Sequence, residues 1–269
     1  MSWSIRVTLA AAFLTTMSHA VAARAGASGS VRPGIAAAIA QSRQLIVVTA
    51  RDWSSNWGAL TLYERADNSG WQRVSPEVPV TLGRNGLAWG VGLHAQRAAK
   101  REGDGRSPAG VFQLERIYGR DARAPSQHFP YQQLTAGMEG VDDPQSRYYN
   151  RLVDAPQVRD RDWRSSEKVR PSNPMFRWCV EVQHNWEQRP ALGSCIYLHI
   201  WKAPGVPTSG CTAMSEPALE RLVGWLDRAK RPLVVQLPES EISELRAALG
   251  DCFLVARSTK RLAGAHPPP

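Results

Sequence analysis

The chain has 269 residues, 43% of them hydrophobic, which is typical of one large globular domain or two small ones. Its formal net charge of +9 is dispersed along the sequence and accompanies no nucleic-acid-binding motif, which argues against nucleic acid as a partner. A basic protein of this kind favours anionic polymers or membrane surfaces.

Residues 1–22 have the pattern of a secretory signal peptide. Arg6 precedes a mostly apolar run over residues 7–17, which is too short to span a bilayer, and Ala20-Val21-Ala22 is a small-residue cleavage site. A buried N-terminal helix is the alternative. Loss of the leader would remove Arg6 and leave a net charge of +8. We therefore expect a mature protein without a transmembrane segment, in the periplasm or cell envelope.

A linker rich in Ala, Gly and Ser is predicted over residues 23–44, followed by one domain over residues 45–250. A polar loop at residues 101–110 leads into a strand at 111–114. Earlier in the domain, apolar or alternating runs predict strands at residues 45–49, 59–63, 71–74 and 78–82, with turns at residues 67–70 and 84–86.

The segment over residues 120–175 is rich in Asp, Arg, Pro and Ser and has little periodicity. So long a loop inside a domain is usually functional or disordered. Its aromatic residues favour an ordered lid over a cleft; they are Phe129, Tyr131, Tyr148, Tyr149 and Trp163.

The C-terminal third predicts a mixture of strands and helices. In the strand that contains His199, the side chains of Cys195, Tyr197 and His199 share one face, since strand side chains alternate. We expect a mostly-β domain with a curved mixed sheet or sandwich, a few helices, and a helix after the Cys211 loop. The predicted elements are strands at 176–183, 195–201 and 233–237, helices at 215–230 and 240–249, and a tail at 251–269.

Four cysteines occur, at positions 179, 195, 211 and 252. An oxidising compartment permits two disulfides, one or none. If Gln183 pairs with Ser194 across a hairpin, Val182 faces Cys195, which argues against a bridge between Cys179 and Cys195. A nucleophilic Cys211 must stay reduced, so at most one bridge would form.

The most specific chemical pattern is a histidine on a strand followed by a thiol on a tight turn. His199 lies in the run Tyr197 to Trp201, and Cys211 ends a Pro/Gly-rich loop behind Ser209 and Gly210. A thiol needs a base or a positive field to become a nucleophile, and His199 can supply the base. Backbone N–H groups of the glycine-permissive turn could stabilise an oxyanion in acyl transfer.

His199 and the S-G-C turn resemble the catalytic signature of the L,D-transpeptidases, the YkuD-like family of enzymes that cross-link bacterial cell walls. The upstream run Gly105-Arg106-Ser107-Pro108-Ala109-Gly110-Val111-Phe112 is similar to the family segment G-x-[ST]-P-x-G-x-[FY]. The resemblance covers about residues 45–240. It departs from the family at Ala213, where an arginine usually follows the cysteine by two residues, and Arg106 or Lys202 could compensate.

The resemblance implies Cys211 as the nucleophile and His199 as the general base, with no cofactor and no metal. It further implies attack on a peptidoglycan tetrapeptide stem, loss of D-Ala through a thioester, and transfer to the amine of a second stem. Water as acceptor would make the enzyme an L,D-carboxypeptidase. The oxyanion and substrate-binding region is assigned to Ser209, Gly210 and Thr212, with the Cys211 amide, and Arg106, Tyr197 and Trp201 are further substrate-binding candidates.

Two other classes of function compete with acyl transfer. A zinc site could use the soft ligands Cys195, His199, Cys211 and His184, although Cys-x2-Cys spacing is absent. A non-catalytic wall-binding module could keep the fold and lack the activity, which the loss of the arginine at position 213 motivates.

Three smaller polar groups have both structural and functional interpretations. Glu102 and Asp104 could be a glycosidase pair or a solvated loop. The segment 142–150 could shape an acceptor channel or form an Asp-Pro turn with a tyrosine anchor. His184 and Asn185 could orient His199 or belong to a hairpin loop.

Overall fold

The computed structural model describes residues 38–66, 70–94, 98–123 and 126–243. The predicted leader, most of the linker, the end of the last predicted helix, the tail and Cys252 lie outside these ranges. Within them, no helix combines the length and apolarity needed to cross a bilayer.

The described residues form a mostly-β structure, as predicted, in which the principal sheet closes on itself. Closure occurs because β1 pairs in parallel with β14 on one side and antiparallel with β2 on the other. The ring order is β1-β14-β6-β11-β12-β13-β4-β2, and three further strands attach to it. The ring strands are β1 Gln44–Ala50, β2 Trp57–Glu64, β4 Val78–Thr81, β6 Ser107–Gly119, β11 Trp178–Val182, β12 Tyr197–Ile200, β13 Thr212–Met214 and β14 Leu233–Pro238; the attached strands are β3 Gln72–Arg73, β5 Leu87–Trp89 and β7 Tyr131–Gln133.

Strand β1 shows why the sequence folds in this way. Its run of apolar residues is buried almost throughout, as expected for a strand that has a neighbour on both sides and is covered on both faces. The strands that pair with β1 contribute Leu60 and Val235 to the same core. The predicted strand at 45–49 therefore lies at the centre of the hydrophobic interior.

Helix α1, Glu216–Trp225, follows the Cys211 loop and packs its apolar stripe onto the principal core. Ser215 occupies the predicted N-cap position. The prediction of a helix up to Lys230 is wrong, because the buried Gln44 side chain bonds the Trp225 carbonyl (2.8 Å) and the Asp227 amide (2.9 Å). Asp227 then caps a separate 3-10 turn, Arg228–Lys230.

The segment 120–175 contains a small second sheet in addition to β7. Strands β8 Met138–Val141, β9 Leu152–Asp154 and β10 Ser166–Lys168 pair in the order β10-β8-β9. We call these three strands the lid sheet. They are too short and too polar to show a strand period, so the sequence did not predict them.

The lid sheet covers one outer face of the closed sheet. A second hydrophobic cluster fills the space between them, with Cys211 packed at its edge; its buried members are Tyr118, Leu134, Met138, Val169, Phe176, Cys179, Cys195 and Tyr197. Gly140 of β8 makes the approach close, since a Cβ at that position would lie 2.9 Å from the Cys195 sulfur.

The β11–β12 hairpin differs by one residue from its predicted register. Val182 donates its amide to Ile196 (3.0 Å) and therefore does not face Cys195, whereas Cys179 lies opposite His199. Cys195 has left-handed backbone (φ +55°) and precedes the regular strand. The thiols of Cys179, Cys195 and Cys211 are all free among the described residues.

Candidate active site

The parallel pairing of β12 and β13 sets the relation between the histidine and the thiol. His199 lies opposite Ala213, and the Tyr197 amide donates to the Cys211 sulfur at 3.3 Å. Because side chains alternate along strands, His199 and Cys211 project from the same face. Their Cα atoms are offset by two residues on neighbouring strands, a separation of about 8 Å that side chains can bridge.

Two hydroxyl groups hold the main chain of Cys211 in place. Ser107 donates to the Cys211 carbonyl at 2.9 Å, and Thr208 donates to the same oxygen at 2.6 Å. Ser107 in turn accepts the Gly83 amide at 2.8 Å and is fully buried. The serine of the S-P-A-G segment thus ties the Cys211 turn to a neighbouring loop.

The glycine before the cysteine is favoured by close packing. A Cβ at Gly210 would lie 3.2 Å from the Arg106 carbonyl oxygen. The Gly210 amide, which the sequence assigned to the oxyanion region, donates to the Thr208 hydroxyl at 3.1 Å. In this structure that amide already has a partner within the turn.

His199 is buried and held in one orientation. Its Nδ1 lies 2.8 Å from the Ile200 carbonyl oxygen, and its ring packs against Phe176 with centroids 5.7 Å apart. A carbonyl can only accept, so we assign the proton to Nδ1, which leaves the Nε2 lone pair free to take a proton. Burial lowers the pKa of His199, although the Ile200 carbonyl opposes the effect, so the ring is neutral at neutral pH.

The thiol of Cys211 is protonated in the resting protein. Burial and, secondarily, the nearby Glu167 carboxylate raise its pKa to about 12, while the Tyr197 amide and the Lys100 cation act in the opposite direction. Both the thiol and the imidazole are therefore neutral at rest. The proton must leave sulfur while a carbonyl carbon is attacked, since no preformed ion pair is available.

A cavity of about 240 Å³ opens beside the Cys211 side chain. Arg84 and Lys100 give it two cations, and Glu102, Asp142 and Glu167 give it three carboxylates. We call this cavity the cleft. Its other lining residues are Gly103, Ser194, Cys195, Ile196, Ser209, Gly210 and Cys211.

The two cations of the cleft are placed differently. Lys100 is almost fully buried, and its ammonium group bonds Asp104 (2.6 Å) and the Arg101 carbonyl (2.8 Å). Arg84 reaches Ser209 with a bond of 3.4 Å. The sequence indicated neither residue, because Arg84 belonged only to a predicted R-N-G turn and Lys100 only preceded the predicted polar loop at 101–110.

Four predicted binding residues do not line the cleft. Thr212 donates to Gln236 at 2.7 Å on the opposite, buried face, and Arg106 donates to the Leu87 carbonyl at 3.0 Å. Tyr197 is buried in the second cluster, and Trp201 is half-buried with its amide bonded to Met214. Of the predicted residues, Ser209, Gly210 and Cys211 line the cleft, and His199 is not among its lining residues.

The residues considered for other functions have structural partners. Within the described ranges, no group of three or more His, Cys, Asp or Glu side chains is arranged to hold a metal. His184 contacts Leu192 (3.0 Å) and Val91 (3.2 Å) in the hairpin loop. Asp104 is paired with Lys100, and Glu102 accepts hydrogen bonds from Tyr149 (2.5 Å) and Ser194 (2.7 Å).

A comparison with protein-family models agrees with the geometry. The model of the L,D-transpeptidase catalytic domain (YkuD) matches residues 60–235 of this chain. The matched range contains His199, Cys211, the Ser107 segment and the lid sheet. A search of curated proteins found no match to the chain.

Proposed function

The chain belongs to the L,D-transpeptidase catalytic-domain family, and on this premise we propose that it is an exported, cysteine-dependent acyl transferase acting on peptidoglycan stem peptides in the periplasm or cell envelope. The observation that carries the proposal is the placement of Cys211 at a charged cleft, on the same sheet face as an oriented neutral His199. The leader-like residues 1–22 support export, and the net positive charge suits an anionic envelope polymer.

In the first half-reaction the Cys211 sulfur forms a bond to the carbonyl carbon of the diamino-acid residue in the donor stem. The thiol proton passes to Nε2 of His199, whose other nitrogen is held by the Ile200 carbonyl. The tetrahedral intermediate collapses, the C–N bond to the terminal D-Ala breaks, and His199 protonates the leaving amine. A thioester on Cys211 remains.

The cations of the cleft suit the charges of this step. Arg84, which is held near Ser209, is placed to bind the terminal carboxylate of the donor stem, a role consistent with the absence of an arginine at position 213. Lys100 favours negative charge on the Cys211 sulfur. Ala213, at the position where the family usually has that arginine, is fully buried opposite Thr81 and supplies no charge.

In the second half-reaction an amine of another stem attacks the thioester and forms the cross-link. Water in place of the amine would release the free acid, which is the L,D-carboxypeptidase outcome. Both outcomes use the same acyl-enzyme, so they differ only in the acceptor that reaches it.

The test is the mass of the intact protein after incubation with a disaccharide-tetrapeptide. We expect an adduct on wild-type protein with release of D-Ala, and none on Cys211→Ala. Cys179→Ala is the matched control, since it removes a buried thiol of the same cluster outside the cleft. Turnover by folded Cys211→Ala would refute the mechanism, and a wild type with no adduct would favour a binding module.

A further inference from the structure

The acidic side of the cleft has no part in the first half-reaction. Glu167 lies at the centre of strand β10, opposite Gly140 of β8, and Asp142 follows the end of β8. Both carboxylates line the same cavity as the Cys211 sulfur. The lid sheet thus brings two acids to the nucleophile from a segment remote from it in sequence.

The Asp142 carboxylate is less satisfied than that of nearby Glu139. Oδ1 of Asp142 is buried and has no hydrogen-bond partner in the described part of the chain. Glu139, on the same strand β8, instead bonds Trp163 (3.0 Å), Ser166 (2.7 Å) and Lys168. A buried acceptor without a donor is costly, so a ligand that donates at this position would be bound favourably.

The carboxylates of Asp142 and Glu167 also repel each other. Desolvation by the surrounding protein and the neighbouring Asp142 raise the pKa of Glu167, although its side chain is exposed at the surface, and Glu167 in turn raises the pKa of Cys211. A negative charge here therefore hinders formation of the thiolate. The presence of a carboxylate that disfavours the first half-reaction is explained if this carboxylate acts in the second, in which the incoming acceptor is a cation.

We propose that Asp142 and Glu167 bind the ammonium group of the acceptor stem and that Glu167 removes its proton before it attacks the thioester. The inference rests on the proposed function and deepens it by assigning two side chains to the binding and deprotonation of the acceptor. An ammonium group supplies three donors, which suits the free Asp142 oxygen and the Glu167 carboxylate. Its charge also relieves the repulsion between the two acids.

The protons and bonds of the step balance. Glu167 takes one proton from the ammonium, and the free amine forms a C–N bond with the thioester carbonyl carbon. The C–S bond breaks, and the second nitrogen proton passes through His199 to the departing Cys211 sulfur. The products are an amide, a neutral thiol and a protonated Glu167, which returns its proton to solvent.

The test separates the two half-reactions in Glu167→Gln and Asp142→Asn. Acylation is measured as the change in intact mass with the donor tetrapeptide alone. An acceptor stem is then added, and the ratio of aminolysis to hydrolysis of the thioester is measured. Glu187→Gln is the matched control, because Glu187 is exposed, pairs with Arg189 and lies outside the cleft. Equal melting temperatures establish that the variants are folded.

For Glu167→Gln we expect acylation at the wild-type rate or faster, since the charge that raises the Cys211 pKa is gone. Aminolysis should fall about 100-fold, the scale of a lost general base, so that hydrolysis becomes the main outcome. Asp142→Asn should chiefly raise the KM for the acceptor. Glu167→Asp should restore part of the aminolysis.

Two results would overturn the inference and leave the proposed function intact. One is an unchanged ratio of aminolysis to hydrolysis in Glu167→Gln; the other is a parallel fall in acylation and aminolysis, which a merely structural role predicts. A wild type that forms no thioester with the donor would overturn the proposed function and this inference together.

Discussion

Replacing Ser107 with Ala should loosen the turn that carries Cys211. The Ser107 hydroxyl donates to the Cys211 carbonyl and accepts the Gly83 amide, and the side chain is fully buried. The substitution removes both bonds and leaves almost the same volume. Its effect therefore reports the hydrogen bonds and not a cavity.

The expected loss of stability depends on which buried polar groups lose their only hydrogen-bond partner. The Cys211 carbonyl keeps the Thr208 hydroxyl at 2.6 Å, so it remains satisfied. The Gly83 amide has no such substitute, and an unsatisfied buried donor costs about 1–3 kcal/mol. For a domain of this size about 2 kcal/mol lowers the melting temperature by roughly 4–8 °C.

Thermal unfolding followed by circular dichroism measures the effect, with Ser54→Ala as the control. The Ser54 hydroxyl bonds Asp52 at 2.7 Å on the exposed surface, so its loss should change the melting temperature very little. The acylation rate of Ser107→Ala should also fall, because the sulfur is held less firmly. A melting temperature within about 1 °C of wild type, with acylation unchanged, would refute the role given to Ser107.

Two further predictions concern the histidine and the thiol. His199→Ala should lower the acylation rate about 100-fold or more while Cys211 remains reactive to iodoacetamide, and a wild-type rate would exclude His199 as the base. Because the pKa of Cys211 is raised to about 12, its alkylation, mapped by peptide mass, should rise about tenfold per pH unit from about pH 7 to 10. A plateau below about pH 9 would contradict the raised pKa of Cys211, because the alkylation of an ordinary thiol levels off above about pH 8.5. The same raised pKa means that the unfolded chain ionises first, so this group's contribution to stability falls as the pH rises above about 8.5.

Most predicted strands of the principal sheet were found close to their expected bounds, but the strand predicted at 111–114 extends over Ser107–Gly119 and so includes the end of the predicted loop at 101–110. Strands β5, β7 and β13 were not predicted. The run at 45–49 became β1 and the run at 233–237 became β14, because continuous apolar segments must be covered on both faces. The error at the end of helix α1 came from a distant side chain. Gln44 ends helix α1 early by bonding its last turn, and nothing within the helix sequence indicates that partner.

For the candidate site, the sequence by itself identified the chemical groups that belong to short motifs along the chain. The spacing of His199 and Cys211, the S-G-C turn and the S-P-A-G segment all lie within short stretches, so their pattern could be read directly and the family match agrees with it. The charges around the sulfur were decided by tertiary structure alone. Lys100 comes from a polar loop and Glu167 from a three-residue polar strand, and neither has a periodicity or motif that indicates a cleft. Only the closure of the sheet and the packing of the lid sheet bring them to Cys211, because an electrostatic environment depends on distance in space and not on distance along the chain.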